Sequence, residues 1–155
     1  MQENATINKV QIIQDGIYTI ETGINSNKAI DVIDAATYSG GNVQIFNKNN
    51  ARCQTVIIKY VGEGYYTIQF YHSKLYLDVA NGQSDDNTNV WQYTYNGSNA
   101  QLWKIIKNSD NTYTFISKLG NFALDLKGAK TVNGTNIQIY SSNNSNAQKF
   151  GFKKI

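Results

Sequence analysis

Three aspartates, Asp31, Asp78 and Asp125, recur at a constant interval of 47 residues. Each stands between apolar neighbours: Ile30 and Val32, Leu77 and Val79, Leu124 and Leu126. An aromatic residue follows each aspartate at one fixed offset, as Phe46, Tyr93 and Tyr140, and a glutamine follows at another, as Gln54, Gln101 and Gln148. Between them lies a second amide, Gln44 or Gln138, which the middle copy replaces with Trp91. A carboxylate accepts several strong hydrogen bonds, an amide donates and accepts, and an aromatic ring presents a flat apolar face. Such a set can hold a ligand with a polar rim and a patch of C–H bonds.

It is poorly suited to catalysis. Cys53 and His72 are the sole conceivable nucleophile and base, and they fall in different copies with no motif around either. Hydrolysis of a glycosidic bond needs two opposed carboxylates at one site. Each copy offers one recurrent carboxylate, with Asp34 and the Asp85–Asp86 pair as the further loop acids. No His/Cys cluster suits zinc, no acidic run suits calcium, and Gly40–Gly41 lacks the lysine and helix of a phosphate loop. The expectation is a protein that is not an enzyme and needs no metal or cofactor.

The positioning elements repeat with the same period. Strands by alternation and β-propensity are expected at Gly16–Ile20, Tyr65–Phe70 and Thr112–Ile116. Short strands carry the aspartates at Ala29–Val32, Tyr76–Val79 and Ala123–Leu126. A polar loop follows, with turns expected at Gly40–Gly41, Asn81–Gly82 and Asn133–Gly134. Third strands are expected at Asn42–Phe46, Asn89–Tyr93 and Asn136–Tyr140, and fourth strands at Gln54–Lys59, Gln101–Ile106 and Gln148–Lys153. Val10–Ile13 reads as a possible start of the first strand. No segment has a sustained helical period. About twelve strands in three repeats predict a single all-β domain over 1–155, with repeats near 14–60, 61–107 and 108–155.

The chain has 155 residues, 41% hydrophobic and 16% charged, which is enough to build one core under a polar, weakly charged surface. A net charge of +3 with scattered lysines gives no footprint for nucleic acid. No stretch approaches a membrane span, and Met1–Asn8 does not read as a signal peptide. The single Cys53 excludes an internal disulfide. The Asn-, Ile-, Lys- and Tyr-rich composition fits a bacterial, AT-rich source.

Each repeat ends in a glutamine two residues before an apolar residue: Gln54-Thr-Val56, Gln101-Leu-Trp103 and Gln148-Lys-Phe150. This resembles the Q-x-W repeat of the ricin B-chain-type lectins, which are β-trefoil carbohydrate-binding modules. The resemblance covers nearly the whole chain from Gly16, with the full tryptophan form in the second copy. It implies a β-trefoil with pseudo-threefold symmetry and one shallow sugar pocket per repeat. The aspartate would accept hydrogen bonds from two sugar hydroxyls, the aromatic would stack on the pyranose, and the amides would position the aspartate. Carried over by position, the first pocket has Asp31, Gln44, Phe46 and Gln54, and the third has Asp125, Gln138, Tyr140 and Gln148. The second has Asp78, Trp91, Tyr93 and Gln101, with Trp91 either blocking the pocket or widening its stacking surface. Galactose-binding members often carry Asn before the glutamine; here that position is Cys53, Ala100 and Ala147.

The resemblance therefore implies a multivalent lectin, with galactose or N-acetylgalactosamine as the family-based expectation. Its implied settings are toxin targeting, glycosidase targeting or cell adhesion, in company with other subunits and acting outside the cell. The rival reading is a protein-interaction trefoil, such as a protease inhibitor or toxin-complex subunit. The repeated glutamines also read as buried amides that tie each repeat together, and Val56, Trp103 and Phe150 as core. Asn42, Asn89 and Asn136, with Asn49, Asn96 and Asn143, read as turn and cap residues.

Overall fold

The computed structural model describes residues 10–155. Twelve strands follow in order: β1 Gly16–Thr22, β2 Asn25–Val32, β3 Val43–Asn47, β4 Val56–Gly62, β5 Tyr65–Phe70, β6 Tyr76–Val79, β7 Thr88–Tyr93, β8 Trp103–Lys107, β9 Tyr113–Ser117, β10 Phe122–Leu126, β11 Ile137–Ser141 and β12 Phe150–Lys154. Val10–Ile13 forms no strand. The amides of Ile12 and Ile13 instead donate to the Tyr66 hydroxyl at 2.7 and 3.1 Å.

β1, β4, β5, β8, β9 and β12 pair antiparallel around a closed ring. Closure removes the free sheet edges that a single repeat would expose. The hairpins β2–β3, β6–β7 and β10–β11 complete the three repeats. The result is an all-β trefoil. Val56, Trp103 and Phe150, the last residues of the three Q-x-W motifs, are fully buried in one hydrophobic core with Ile58, Tyr66, Phe70 and Phe115. Burying each such side chain contributes roughly 1.5–3 kcal/mol. The Trp103 indole also donates Nε1–H to the Leu77 carbonyl at 3.2 Å, which satisfies its one polar atom inside the core.

The loop after each aspartate contains two separate tight turns. The first has left-handed residues at Asp34–Ala35, Asn81–Gly82 and Gly128–Ala129; the second has them at Gly40, Asn87 and Gly134. Asn81–Gly82 therefore belongs with the first set, not with Gly40–Gly41 and Asn133–Gly134 as the dipeptides suggest. The second turn reaches into the next repeat. Gly40 N–H donates to the Gln92 carbonyl at 2.8 Å, Asn87 N–H to that of Ile139 at 2.9 Å, and Gly134 N–H to that of Ile45 at 2.9 Å. Beside it, Ser39 Oγ accepts from Thr94 N–H, Asp86 Oδ1 from Ser141 N–H, and Asn133 Oδ1 from Asn47 N–H, at 3.0, 2.7 and 2.8 Å. Each loop is thus latched to the third strand of its neighbour, in a cycle of three.

A second ring sits among these loops. Asn42 Nδ2 donates to Asn136 Oδ1 at 2.8 Å, Asn136 Nδ2 to Asn89 Oδ1 at 2.9 Å, and Asn89 Nδ2 to Asn42 Oδ1 at 2.9 Å. These asparagines join the three repeats to one another, which corrects their reading as turn and cap residues. Asn49, Asn96 and Asn143 do form turns, their Oδ1 atoms accepting the amide two residues on.

Candidate functional site

Each aspartate sits near the end of its strand, directly across from the residue that first contacts it. Asp31 pairs in register with Gln44, Asp78 with Trp91 and Asp125 with Gln138. Cross-strand partners lie on one face with their side chains adjacent. Gln44 Nε2 accordingly donates to Asp31 Oδ1 at 3.2 Å, and Gln138 Nε2 to Asp125 Oδ1 at 3.1 Å. Trp91 Nε1 donates to Asp78 Oδ1 at 2.7 Å. The indole therefore takes over the amide's donor role.

The second oxygen of each carboxylate receives the Q-x-W glutamine. Gln54, Gln101 and Gln148 donate Nε2–H to Oδ2 of Asp31, Asp78 and Asp125 at 3.0, 2.8 and 3.0 Å. These glutamines lie in short 3-10 turns, Arg52–Gln54, Asn99–Gln101 and Asn146–Gln148, just before the fourth strand rather than within it. The turn lets the amide reach back. It also donates to the carbonyls of Asn47, Thr94 and Ser141, and its oxygen accepts from the amides of Asn49, Asn96 and Asn143. With at most 1% exposure, the glutamines are buried ties that hold the aspartates in place.

An aromatic residue two positions after Gln44, Trp91 or Gln138 shares that strand face. Phe46 and Tyr140 are half-buried, and Tyr93 is 37% exposed. Trp91 and Tyr93 stack with ring centroids 5.4 Å apart and planes 18° apart. Around Asp125 opens a cavity of about 760 Å³, lined by Gln138, Tyr140, Lys127, Lys130, Val132 and Asn146 among others. Around Asp78 it is about 330 Å³, lined by Trp91, Tyr93, Asn96, Asn99 and Leu119 among others. Trp91 thus lines a smaller cavity than the amide copy does, and adds a ring to it. The loop residues Lys127, Lys130 and Leu119 carry no periodic signal, so spacing could not single them out, whereas Asn99 and Asn146 do recur 47 residues apart, with Arg52 at that position in the first copy.

The first site differs in its thiol. Cys53 Sγ donates to Asp31 Oδ2 at 3.6 Å, where the other copies have Ala100 and Ala147. Burial, with the Asp31 charge and hydrogen bond, pushes the Cys53 thiol up to about 11. The thiolate is the nucleophile, so the neutral thiol is inert at neutral pH. Cys53 is therefore expected to react with iodoacetamide at least about tenfold more slowly in the folded protein than in denaturant at pH 7.5; equal rates measured by mass spectrometry would refute this. His72 is engaged elsewhere, its Nε2 lying 2.7 Å from the Ala36 carbonyl. Asp86 serves the latch to Ser141, and Asp34 is exposed in a tight turn. Among the described residues no three His, Cys, Asp or Glu side chains gather in one place.

Burial holds the Asp78 carboxyl above the usual carboxylate range, and the hydrogen bonds from Trp91 and Gln101 only partly offset this. The folded state consequently binds this proton more tightly than the unfolded chain does. The unfavourable contribution of the buried charge is relieved as pH falls through the raised value.

A carboxylate oxygen has about two acceptor positions. Asp78 and Asp125 each receive one protein donor per oxygen, which leaves acceptor capacity beside an aromatic ring and an open cavity. That arrangement leaves two acceptor oxygens beside each cavity.

A family model described as ricin-type beta-trefoil lectin domain-like matches residues 53–140. The designed threefold-symmetric protein ThreeFoil is similar at 31% identity, over 91% of this chain and 100% of that one, with a TM-score of 0.88. A mosquitocidal holotoxin is similar at 28% identity over 94% of this chain, with a TM-score of 0.87, and the chain spans 18% of its length. The exo-beta-1,3-galactanase 1,3Gal43A from Clostridium thermocellum is similar at 25% identity over 94% of this chain, with a TM-score of 0.87, and the chain spans 31% of it. No curated protein matches the chain. With the family model covering more than half of its residues, the chain belongs to the ricin-type β-trefoil lectin domain-like family.

Proposed function

We propose that this protein is a non-catalytic, multivalent carbohydrate-binding module for galactose- or N-acetylgalactosamine-type glycans. The observation that carries the reading is the thrice-repeated carboxylate, held by one donor from the facing strand and one glutamine. A structural carboxylate alone would not need an aromatic ring beside it, nor the cavities that open at Asp78 and Asp125. The galactanase to which the chain is similar is named for a galactose polymer, which supports the choice of sugar. The similarity to a piece of a toxin and a piece of a glycan-degrading enzyme supports a targeting role outside the cell, alongside catalytic or toxic partners. Each small shallow site gives a dissociation constant of roughly 10 µM to 1 mM, and engagement of clustered glycans by several sites lowers the apparent value by avidity.

A glycan array with free galactose as competitor tests this. Asp31→Asn, Asp78→Asn and Asp125→Asn, singly and together, keep the side-chain volume. The triple variant is expected to fold and to lose glycan binding. A well-folded wild type that binds no glycan at high valency would overturn the reading.

The raised Asp78 carboxyl adds a pH dependence at the second site. Sugar hydroxyls donate to the charged form, so protonation opposes binding. Affinity there is expected to fall about tenfold per pH unit once the pH is below the raised value. Trp91 fluorescence, titrated with galactoside against pH, checks this; an affinity independent of pH down to the onset of acid unfolding would contradict it.

A further inference from the structure

The third cavity differs from the second in charge. Lys127 and Lys130 line it with Asp125, whereas the residues lining the Asp78 cavity include no lysine or arginine. The difference lies in the loop after the aspartate. The residues in register with Lys127 are Ile33 and Ala80, and those with Lys130 are Ala36 and Gln83. Both lysines are exposed, and among the described residues neither is in an ion pair. A third ammonium stands beside the cavity, where Lys28 Nζ donates to the Asn133 side chain at 2.8 Å and Asn133 itself lines the cavity. Asp125 is 6% exposed, so its charge lies at the floor while the ammonium groups lie toward solvent.

Resting on the carbohydrate reading of this site, we infer that the third cavity selects glycans bearing an anionic substituent, a carboxylate or a sulfate ester, over their neutral counterparts. The sugar places two hydroxyls on Asp125 and its C–H face on Tyr140. The acidic group then points away from the Asp125 carboxylate, which would repel it, and toward Lys127 and Lys130. An ammonium is a mobile point charge with three donors, which suits both oxyanions without demanding one geometry. The second cavity has Asp78, Trp91 and Tyr93 but no such wall, and serves as an internal comparison.

An NMR titration resolves the sites, with the amide signals of Tyr140 and Tyr93 reporting the third and second cavities. The ligands are lactose, a sulfated lactose and sialyl-lactose, applied to the wild type and to the K127Q/K130Q double variant. At the third site at least one anionic ligand is expected to bind about tenfold more tightly than lactose, since exposed charge pairs contribute modestly and two act together. The preference should shrink to about twofold or less in about 0.5 M salt and in K127Q/K130Q. Which of the two ligands gains distinguishes sulfate from carboxylate. Lactose bound at the third site as tightly as both anionic ligands would refute the anionic preference while leaving the carbohydrate reading intact. A preference that survives K127Q/K130Q would refute the assignment to these lysines. No response of either tyrosine to any ligand would refute both.

Discussion

Gln148→Ala is expected to lower the stability of the domain by about 3 kcal/mol and to remove ligand binding at the third site. The side chain makes three hydrogen bonds, to Asp125, to the Ser141 carbonyl and from the Asn143 amide. Ser141 and Asn143 are exposed and recover water when the amide is gone. Asp125 is buried and cannot recover it to the same degree. The cost therefore falls mainly on a carboxylate left with one donor, Gln138, and a hydrogen bond to a charged group contributes roughly 1.5–3 kcal/mol. For a domain of this size the expected fall in Tm is about 6–12 °C. Binding is expected to be lost because Asp125, left with the Gln138 donor alone, no longer holds its two acceptors at one orientation. A double-mutant cycle with Asp125→Ala measures the coupling, expected at about 2 kcal/mol. A single-variant loss below about 1 kcal/mol would mean that the carboxylate does not depend on the glutamine.

The same chain of contacts shows why part of the architecture was legible in the residues. The aspartate, the facing amide or indole, the aromatic and the glutamine all belong to one repeat, so their roles are written as fixed offsets. Strand alternation and the Q-x-W endings likewise gave twelve strands and the trefoil. What the offsets could not show is contact between repeats. Asn42, Asn89 and Asn136 meet only when three copies close around a common axis. The pairing of Ser39 with Thr94, Asp86 with Ser141 and Asn133 with Asn47 uses three different side chains for one job, which hides it from any motif. The glutamines read as the first residues of strands because apolar alternation follows them, yet the 3-10 turn is what lets them face back to the aspartates. Asn81–Gly82 carried the right turn chemistry for the wrong turn, since each loop contains two and dipeptide type alone does not order them. Cavity size and charge depend on the loops at 80–87 and 127–134, where the repeats share least.

The asparagine ring makes the prediction most sensitive to that closure. In a ring of three, every member donates once and accepts once, so removing one member breaks two of three hydrogen bonds. Asn89→Ala is expected to cost about 2 kcal/mol, at about 1 kcal/mol per neutral hydrogen bond. The half-buried position of all three side chains keeps the cost from rising further, because water reaches the orphaned groups. Adding Asn136→Ala breaks the single remaining bond, from Asn42 Nδ2, and should cost about 1 kcal/mol more. Adding Asn42→Ala then breaks nothing in the ring and should cost about zero. The order of substitution is immaterial by symmetry, so all three single variants should lose similar stability and all three double variants should agree. Urea unfolding of the seven variants measures the series. A falling series of about two, one and zero kcal/mol identifies a closed ring, while three equal additive steps would mean independent asparagines. The latches between each loop and the next repeat do not involve these side chains, so the triple variant is expected to keep the trefoil and its cavities. The ring thus adds stability at the axis, while the positions of Asp31, Asp78 and Asp125 are set within each repeat by its own hairpin and glutamine.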